Sequence, residues 1–291
     1  MKTGNITAAD IARSVLSVPP LARRADLTLD HDANRALIRH LEAGGVSTLM
    51  YGGNANLYNI GLYEYGALLD FLESAAAPGT WVIPSAGPDF GKLVDQARVL
   101  RGRAFPTAMV LPQTFPATPD GSARAISAFA EEFARPVIVY VKAENFLTPA
   151  HVARLVDEGI VAGIKYAIVR KDPAVDPYLA ELVDRVDRSL IISGIGERPA
   201  IVHLRDFGLN GLRRGPCASG RAARPACSRR SRPGTMRLPK GCARPTLRSR
   251  TSATNSRPSA CCMRRSRSPA SPTWVRCCRI FPTFPPSITR A

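Results

Sequence analysis

Short apolar runs alternate with amphipathic stretches along residues 1–211. Seven runs rich in β-branched and aromatic residues have the length of strands, and each is followed by a stretch whose apolar residues recur at the three-to-four-residue spacing of a helix. The seven runs are SVLSV (14–18), VSTLMY (46–51), TWVIPSAG (80–87), TAMVL (107–111), PVIVYVK (136–142), VAGIKYAIV (161–169) and SLIISG (189–194). The pattern predicts seven consecutive βα units.

Several helix ends are marked by their residue types. Thr148 is placed to cap a helix that opens with Pro149, where a missing N–H costs nothing. Gly44 and Gly159 follow predicted helix ends, where a left-handed residue is favoured.

Strand starts recur about every 30 residues, the length of one βα unit. Continuously apolar runs such as VIVYV suit parallel strands that are buried on both faces. The fold class is therefore α/β, as either an open doubly wound sheet or a closed (β/α)8 barrel. No G-x-G-x-x-G follows the first strand, which weakens the dinucleotide-binding sheet, and the even spacing favours the barrel. An eighth strand is expected at about Leu209.

Lys165 interrupts the apolar run VAGIKYAIV, on the same strand face as Gly163 and Ala167. In barrels of this kind the active site lies at the C-terminal ends of the strands. A lysine facing the interior would be desolvated, which lowers its pKa and leaves an amine able to attack a carbonyl. The alternative is a lysine near a strand end whose ammonium reaches water.

Tyr140 ends the preceding strand, where its phenol could move a proton for an imine-forming lysine next to it. The alternative is a half-buried aromatic whose hydroxyl is hydrogen-bonded.

MYGGNANLYN (50–59) follows the second strand directly. Gly52 and Gly53 allow the backbone to turn its N–H groups inward as a nest for a carboxylate. A plain βα turn explains the same residues.

No metal or cofactor is predicted. The four histidines lie in predicted helices without ligand spacing, and the seven cysteines form no C-x-x-C pair.

Charge divides the chain at about residue 211. Residues 212–291 hold 19 basic residues, no acidic residue and all seven cysteines, whereas residues 1–211 hold 21 basic and 23 acidic residues. A uniformly basic nucleic-acid binder is thereby excluded. The first residues lack a signal-peptide pattern and no run could span a bilayer, so we expect a cytoplasmic protein without a membrane partner.

Together these residues resemble the dihydrodipicolinate synthase / N-acetylneuraminate lyase family of Schiff-base aldolases, over essentially all of residues 10–211. GIKYA (163–167) is similar to the family's G-x-K-x-A on strand six, and Tyr140 matches its strand-five tyrosine. GGNAN (52–56) occupies the place of the carboxylate loop, and IISG (191–194) resembles the strand-seven L-S-G.

The resemblance implies a (β/α)8 barrel, usually tetrameric, whose lysine forms an imine with pyruvate or another 2-oxo acid. No cofactor is implied beyond that covalent imine. It implies a catalytic pair, Lys165 and Tyr140, and a substrate-binding set made of Gly52, Gly53, Asn54, Ala55, Asn145, Ser193 and Gly194.

Three departures argue against dihydrodipicolinate synthase itself. Asn54 and Ala55 replace the paired threonines of the carboxylate loop, and LPQTFP lacks the second relay tyrosine. The arginine that holds the semialdehyde carboxylate falls near Asn145. A related aldolase or a sugar-acid dehydratase fits better, and Lys142 or Glu144 is a candidate for selecting the substrate.

Residues 212–291 lose all helical and strand periodicity. One explanation is a disordered basic tail that binds nucleic acid through phosphates, on a non-catalytic barrel. The other, which we favour, is a shifted reading frame. Read one frame over, the tail regains acidic residues, helical periodicity and capping glycines without a stop, and it resembles the family's eighth strand and C-terminal helices.

The shifted frame predicts a seven-unit barrel over 1–211 and an out-of-frame tail over 212–291. We then expect an open edge, poor folding and possible loss of activity, and no nucleic-acid partner. A metal-dependent barrel aldolase is the third alternative, but no carboxylate–histidine cluster at the strand ends supports it.

Overall fold

The computed structural model describes residues 1–13, 15–209 and 211–214, with no side-chain description for residues 197 and 212–214. Its strands are β1 (Leu16–Ser17), β2 (Thr48–Met50), β3 (Trp81–Ile83), β4 (Ser85–Ala86), β5 (Met109–Val110), β6 (Val137–Val141), β7 (Val161–Tyr166), β8 (Ile191–Ser193) and β9 (Gly211–Arg214). Each of the seven predicted runs contains a strand.

The helices are α1 (Ala8–Arg13), α2 (His31–Ala43), α3 (Leu62–Ala75), α4 (Phe90–Arg101), α5 (Pro119–Phe133), α6 (Pro149–Asp157), α7 (Pro177–Arg185) and α8 (Glu197–Asp206). Short 3-10 helices cover Gly53–Ala55, Leu57–Asn59 and Arg188–Leu190. Helices α2 to α8 fall on the seven predicted helical stretches, whereas α1 was not predicted.

All pairings within the sheet are parallel, and the strand order is β3-β2-β1-β9-β8-β7-β6-β5-β4. β3 and β4 occupy one strand position, interrupted at Pro84, which has no N–H to contribute to a ladder. On one side of this position the Tyr51 N–H donates to the Ile83 carbonyl at 2.9 Å, and on the other side the Met109 N–H donates to the Pro84 carbonyl at 2.8 Å. The ring is therefore closed with eight strand positions, which confirms the (β/α)8 barrel.

The eighth strand corrects the sequence analysis, which expected the ring to stay open after residue 211. The backbone of β9 pairs with β8 on one side and with β1 on the other. Ladder hydrogen bonds join main-chain groups that every non-proline residue carries, so the segment GLRR can close the ring despite its two arginines. The prediction of a lost strand is wrong, and the barrel extends to residue 214. The tail predicted beyond it, residues 215–291, lies outside the described residues.

The helix ends largely match the predicted caps. The Thr148 hydroxyl accepts the N–H of His151 at 3.3 Å at the start of α6. Gly159, with φ +71°, follows the end of that helix. After α2 the left-handed residue is Gly45, with φ +80°, and not Gly44 as predicted, because Gly44 still belongs to the last helical turn.

The N-terminal end of the barrel is filled by Ile11 of α1, which is fully buried. A Cβ placed on Gly163 of β7 would lie 3.5 Å from Ile11 Cδ1, and one placed on Gly211 of β9 would lie 2.8 Å from Ile11 Cγ2. The glycines of these two strands thus leave the space that the isoleucine occupies, and α1 closes the end of the barrel opposite the strand C-termini. Among the described residues, no helix is both long and apolar enough to cross a bilayer.

We expect Ile11→Ala to lower the free energy of unfolding by about 2–5 kcal/mol, because no neighbouring side chain can fill the cavity at the end of the barrel. Ile201→Ala, at a side chain that is 41% exposed on α8, is the control and should change it by less than about 0.5 kcal/mol. Urea unfolding followed by circular dichroism measures both. Equal losses in the two variants would show that Ile11 is not a core residue.

Candidate active site

Lys165 and Tyr140 lie next to each other inside the barrel. The strand register pairs Tyr140 of β6 with Lys165 of β7, so both side chains point to the same side of the sheet. Lys165 is only 3% exposed, and its Nζ lies 3.7 Å from the centroid of the Tyr140 ring. The structure thus brings the two residues of the predicted catalytic pair together, with the amine over the face of the phenol.

The contact between the Lys165 amine and the Tyr140 ring has an electrostatic consequence. An ammonium over an aromatic face gains about 0.5–2 kcal/mol, and the gain is larger where water is excluded. The ring therefore favours a fixed position of the Lys165 side-chain nitrogen over its face.

Gly194 completes the surroundings of the lysine stem. A Cβ at Gly194 would lie 2.9 Å from Lys165 Cγ and 2.8 Å from the Tyr166 carbonyl oxygen, so the position admits only glycine without movement of its neighbours. The Gly194 N–H donates to that same carbonyl at 2.6 Å. Lys165 is thus confined between Gly194 and the Tyr140 ring.

The Ser193 side chain points out of the barrel, opposite to that of Lys165. It pairs in register with Tyr166, whose side chain faces the helices, and the Ser193 Oγ lies 2.8 Å from His203 Nδ1 of α8. The side chain expected to line the substrate site is therefore placed outside the barrel. The physical reason is strand alternation, because Ile192 is the residue of β8 that pairs with Lys165.

The predicted carboxylate loop forms the 3-10 turn Gly53–Ala55 at the end of β2. A Cβ on Gly52 would lie 2.7 Å from Met109 Cε, so the glycine permits close packing on the neighbouring strand. The Ala55 N–H donates to the Gly52 carbonyl at 3.1 Å and is used within the turn. Gly53 and Asn54 are exposed, and the Asn54 amide donates to the Val18 carbonyl at 3.4 Å. The N–H of Ala55 is therefore already bonded within the turn.

Asn145 lies in the exposed loop after β6. Its neighbour Glu144 pairs with Arg170 Nη2 at 2.5 Å, across to the loop that follows β7. Lys142 is also exposed. These three residues belong to the rim of the barrel.

Tyr58 was missed by the sequence analysis. It is half-buried in the 3-10 turn Leu57–Asn59, and its ring would lie 3.6 Å from a Cβ on Gly53. Burial, with a smaller contribution from the Tyr140 phenol, raises the pKa of Tyr58 above its usual value. Lys92 Nζ donates to the Tyr58 carbonyl at 2.9 Å and so ties the turn to α4. An aromatic residue in a Gly/Asn-rich turn after a strand was the only sequence signal for it.

A cavity of about 420 Å³ lies between α4, α5 and the loop after β5, with Phe90, Leu111 and Phe146 among its lining residues. It does not include Lys165 or Tyr140, and its walls are mainly apolar. In the part of the chain that the structure describes, no three His, Cys, Asp or Glu side chains come together as a metal site would require.

Comparison with solved structures supports the barrel fold. The chain is similar to dihydrodipicolinate synthase from Bacillus clausii (18% identity, TM-score 0.62, covering 70% of this chain and 69% of that one). It is also similar to YagE, a prophage protein of the dihydrodipicolinic acid synthase family from E. coli in complex with pyruvate (22% identity, TM-score 0.58, covering 74% and 72%). A third similar structure is N-acetylneuraminate lyase from Fusobacterium nucleatum (14% identity, TM-score 0.60, covering 71% and 70%).

No protein-family model matches the sequence, and the search of curated proteins gives no significant match. At these sequence identities the structural similarity shows the fold. The resemblance seen in the sequence is therefore confirmed as a shared barrel, with Lys165 and Tyr140 on adjacent strands inside it.

His203 provides a test of the structure next to the site. It is 1% exposed, and burial lowers its pKa, a shift that the charge of Asp176 partly offsets. Above the unfolded-state pKa of about 6.5 the imidazole is neutral in both the folded and the unfolded protein, so its protonation takes nothing from the free energy of unfolding. As the pH falls from there through the lowered folded pKa, the unfolded state binds the proton first and stability is lost.

We expect the free energy of unfolding to fall as the pH is lowered below about 6.5, by at most about 1.4 kcal/mol per pH unit from this histidine. His203→Gln should flatten that slope, whereas His40→Gln, at an exposed position on α2, should leave it unchanged. Urea unfolding at a series of pH values measures the slopes. An unchanged slope in His203→Gln would contradict the assignment of a buried neutral imidazole.

Proposed function

We propose that this protein is a Schiff-base-forming lyase of the dihydrodipicolinate synthase-like class, acting on pyruvate or another 2-oxo acid through Lys165. The observation that carries the proposal is the placement of the Lys165 amine 3.7 Å above the Tyr140 ring, inside a closed barrel and near the C-terminal ends of β6 and β7. Active sites of such barrels lie at that end. A buried amine beside a phenol is the pair that imine formation requires.

Each step of imine formation has a group to perform it. The Lys165 amine, once it has lost its proton, attacks the C2 carbonyl and forms a carbinolamine. The Tyr140 phenol carries a proton from nitrogen to the carbinolamine oxygen, which leaves as water and gives the imine. The imine nitrogen takes up a proton, and loss of a C3 proton from this iminium yields the neutral enamine. The enamine adds to an aldehyde, and the reverse sequence cleaves the carbon–carbon bond.

The turn at residues 53 and 54 is the proposed place for the substrate carboxylate. Gly53 begins a 3-10 helix, so its N–H lies at the helix start and is not used within the helix. We propose a 2-oxo acid aldolase or sugar-acid dehydratase rather than dihydrodipicolinate synthase. The support is the exposed Asn54 in place of a threonine and the absence of a tyrosine from LPQTFP.

A homo-oligomer, a tetramer by resemblance, is part of the proposal. Several large apolar side chains remain exposed at helix starts and loops next to the strand C-termini, namely Tyr63, Phe90 and Phe115. Contact with further copies of the chain would cover such side chains.

We expect borohydride reduction in the presence of pyruvate to add one reduced pyruvate to the chain, on the peptide that contains Lys165. Lys165→Met should abolish the adduct, while Lys171→Met, at an exposed lysine on the next loop, should retain it. Intact-mass and peptide mass spectrometry of the full-length chain measure both. Absence of the adduct in the folded wild-type chain would contradict the proposal.

We expect Tyr140→Phe to keep the ring under the Lys165 amine but to slow proton transfer by about 100-fold. The rate of deuterium exchange at C3 of pyruvate in D₂O, followed by proton NMR, measures this without knowledge of the aldehyde partner. Tyr63→Phe, at a side chain that is 88% exposed, is the matched control and should exchange at the wild-type rate. Wild-type exchange by Tyr140→Phe would exclude the phenol as the proton carrier.

A further inference from the structure

β7 carries different chemistry on its two faces. Lys165 points into the barrel, whereas the next residue, Tyr166, points outward and is fully buried under the helices. Behind β7 and β8 lies a group of polar side chains that the proposed reaction does not use: Tyr166, Arg170, Asp176, Ser193 and His203. We call this group the outer-face network.

Asp176 is the centre of the outer-face network. Its carboxylate is completely buried and accepts three donors from three parts of the chain. These are the Tyr166 hydroxyl of β7, Arg170 Nη2 of the following loop at 2.9 Å, and the Leu179 N–H of α7 at 3.1 Å. A buried charge is tolerated only when it is paired and hydrogen-bonded in this way. Asp176 therefore ties the end of β7 to the start of α7.

Tyr166 is suited to be the permanent donor to Asp176. Burial, together with the hydrogen bond to the carboxylate, raises its pKa above the usual range, so the phenol keeps its proton. The hydrogen bond that Arg170 donates to Asp176 likewise raises the pKa of Arg170, which stays charged. Both side-chain donors to Asp176 thus keep their protons throughout the ordinary pH range.

The neighbouring strand, β8, is also held by side-chain contacts on the outer face of the sheet. Ser193 is the register partner of Tyr166, and its hydroxyl meets His203 of α8. The Tyr166 and His203 rings pack edge to face at 5.7 Å. Gly194, which follows Ser193, packs on the stem of Lys165 and bonds to the Tyr166 carbonyl. Contacts on the outer face therefore hold the backbone of both β7 and β8 next to Lys165.

We propose that Asp176 is a positioning residue for Lys165, acting through the Tyr166 hydroxyl, which anchors the end of β7 and so holds the amine over the Tyr140 ring. The inference rests on the proposed function, since it assigns a role in the reaction of Lys165. Misplacement of a reacting group by about 1 Å can cost about 100-fold in rate, so an anchor one residue away has a large effect.

The test uses the full-length chain and compares Tyr166→Phe with Tyr178→Phe. Tyr178 is a matched control because it is buried in the same layer, stacks on Tyr166 at 5.9 Å and donates to the Leu147 carbonyl at 2.7 Å, with no hydrogen bond to Asp176. Each variant loses one buried hydroxyl bond and keeps its ring. Urea unfolding establishes that both are folded at the temperature of the assay.

Two readouts are taken on each variant. The first is the rate of borohydride-trapped adduct formation at saturating pyruvate. The second is the rate of Lys165 acetylation by a pulse of acetic anhydride, which needs no imine. We expect Tyr166→Phe to slow trapping about tenfold at an unchanged half-saturating pyruvate concentration. It should also raise Lys165 acetylation about threefold as the amine leaves the ring.

Tyr178→Phe should stay within about twofold of wild type in both readouts, because it leaves the anchor intact. The positioning role is overturned if the trapping and acetylation rates of Tyr166→Phe also stay within twofold of wild type. It is equally overturned if the two variants show the same fall in trapping rate. If the wild-type chain forms no adduct, the proposed function fails, and the acetylation rates still decide whether Asp176 and Tyr166 position the lysine. Asp176→Asn, which keeps one acceptor oxygen, repeats the comparison if Tyr166→Phe does not fold.

Discussion

In-register pairing of β6 with β7 is the constraint on which the site depends. It sets Tyr140 beside Lys165, and the next pairing, with β8, sets Gly194 against the lysine stem. Because each strand is held by main-chain hydrogen bonds on both sides, these side chains have fixed neighbours only while the ring is closed. Closure is completed by β9, which joins β8 to β1. The proposed chemistry therefore depends on the backbone of four residues far along the chain, Gly211–Arg214.

The inward and outward faces of β7 carry side chains with different roles. The inward face of β7 carries Gly163, which leaves space for Ile11 at one end of the barrel, and Lys165 towards the other. The outward face carries Tyr166, bonded to the buried Asp176. Burial of an amine and of a carboxylate on opposite sides of one strand is tolerable because each has polar or aromatic partners. A strand held in this way is rigid at the position where the proposed reaction needs rigidity.

Periodicity predicted the fold and the inward position of Lys165, because strand alternation and βα spacing are properties of the backbone. The catalytic role of Lys165 and Tyr140 comes from the family resemblance and stays a prediction. The resemblance also placed Ser193 among the substrate-binding residues, but the strand register turns its side chain outward, because a motif match does not determine which face of a strand a residue occupies. The spacing placed an eighth strand at about Leu209, but the arginine-rich composition after residue 211 led to the prediction that it was lost. That composition does not prevent main-chain pairing, and β9 forms at Gly211–Arg214. Asp176 and Arg170 could not be predicted, because a buried ion pair between a loop and a helix start leaves no periodic signal.

The most direct measurement of the central claim is a crystal structure of the full-length protein after reduction with borohydride in the presence of pyruvate. The account predicts continuous electron density from Lys165 Nζ to C2 of the bound acid, with the carboxylate at the turn of residues 53 and 54 and the Tyr140 hydroxyl within hydrogen-bond reach of the new nitrogen–carbon bond. Density for an unmodified Lys165 in a closed barrel, or a covalent adduct on another lysine, would contradict it.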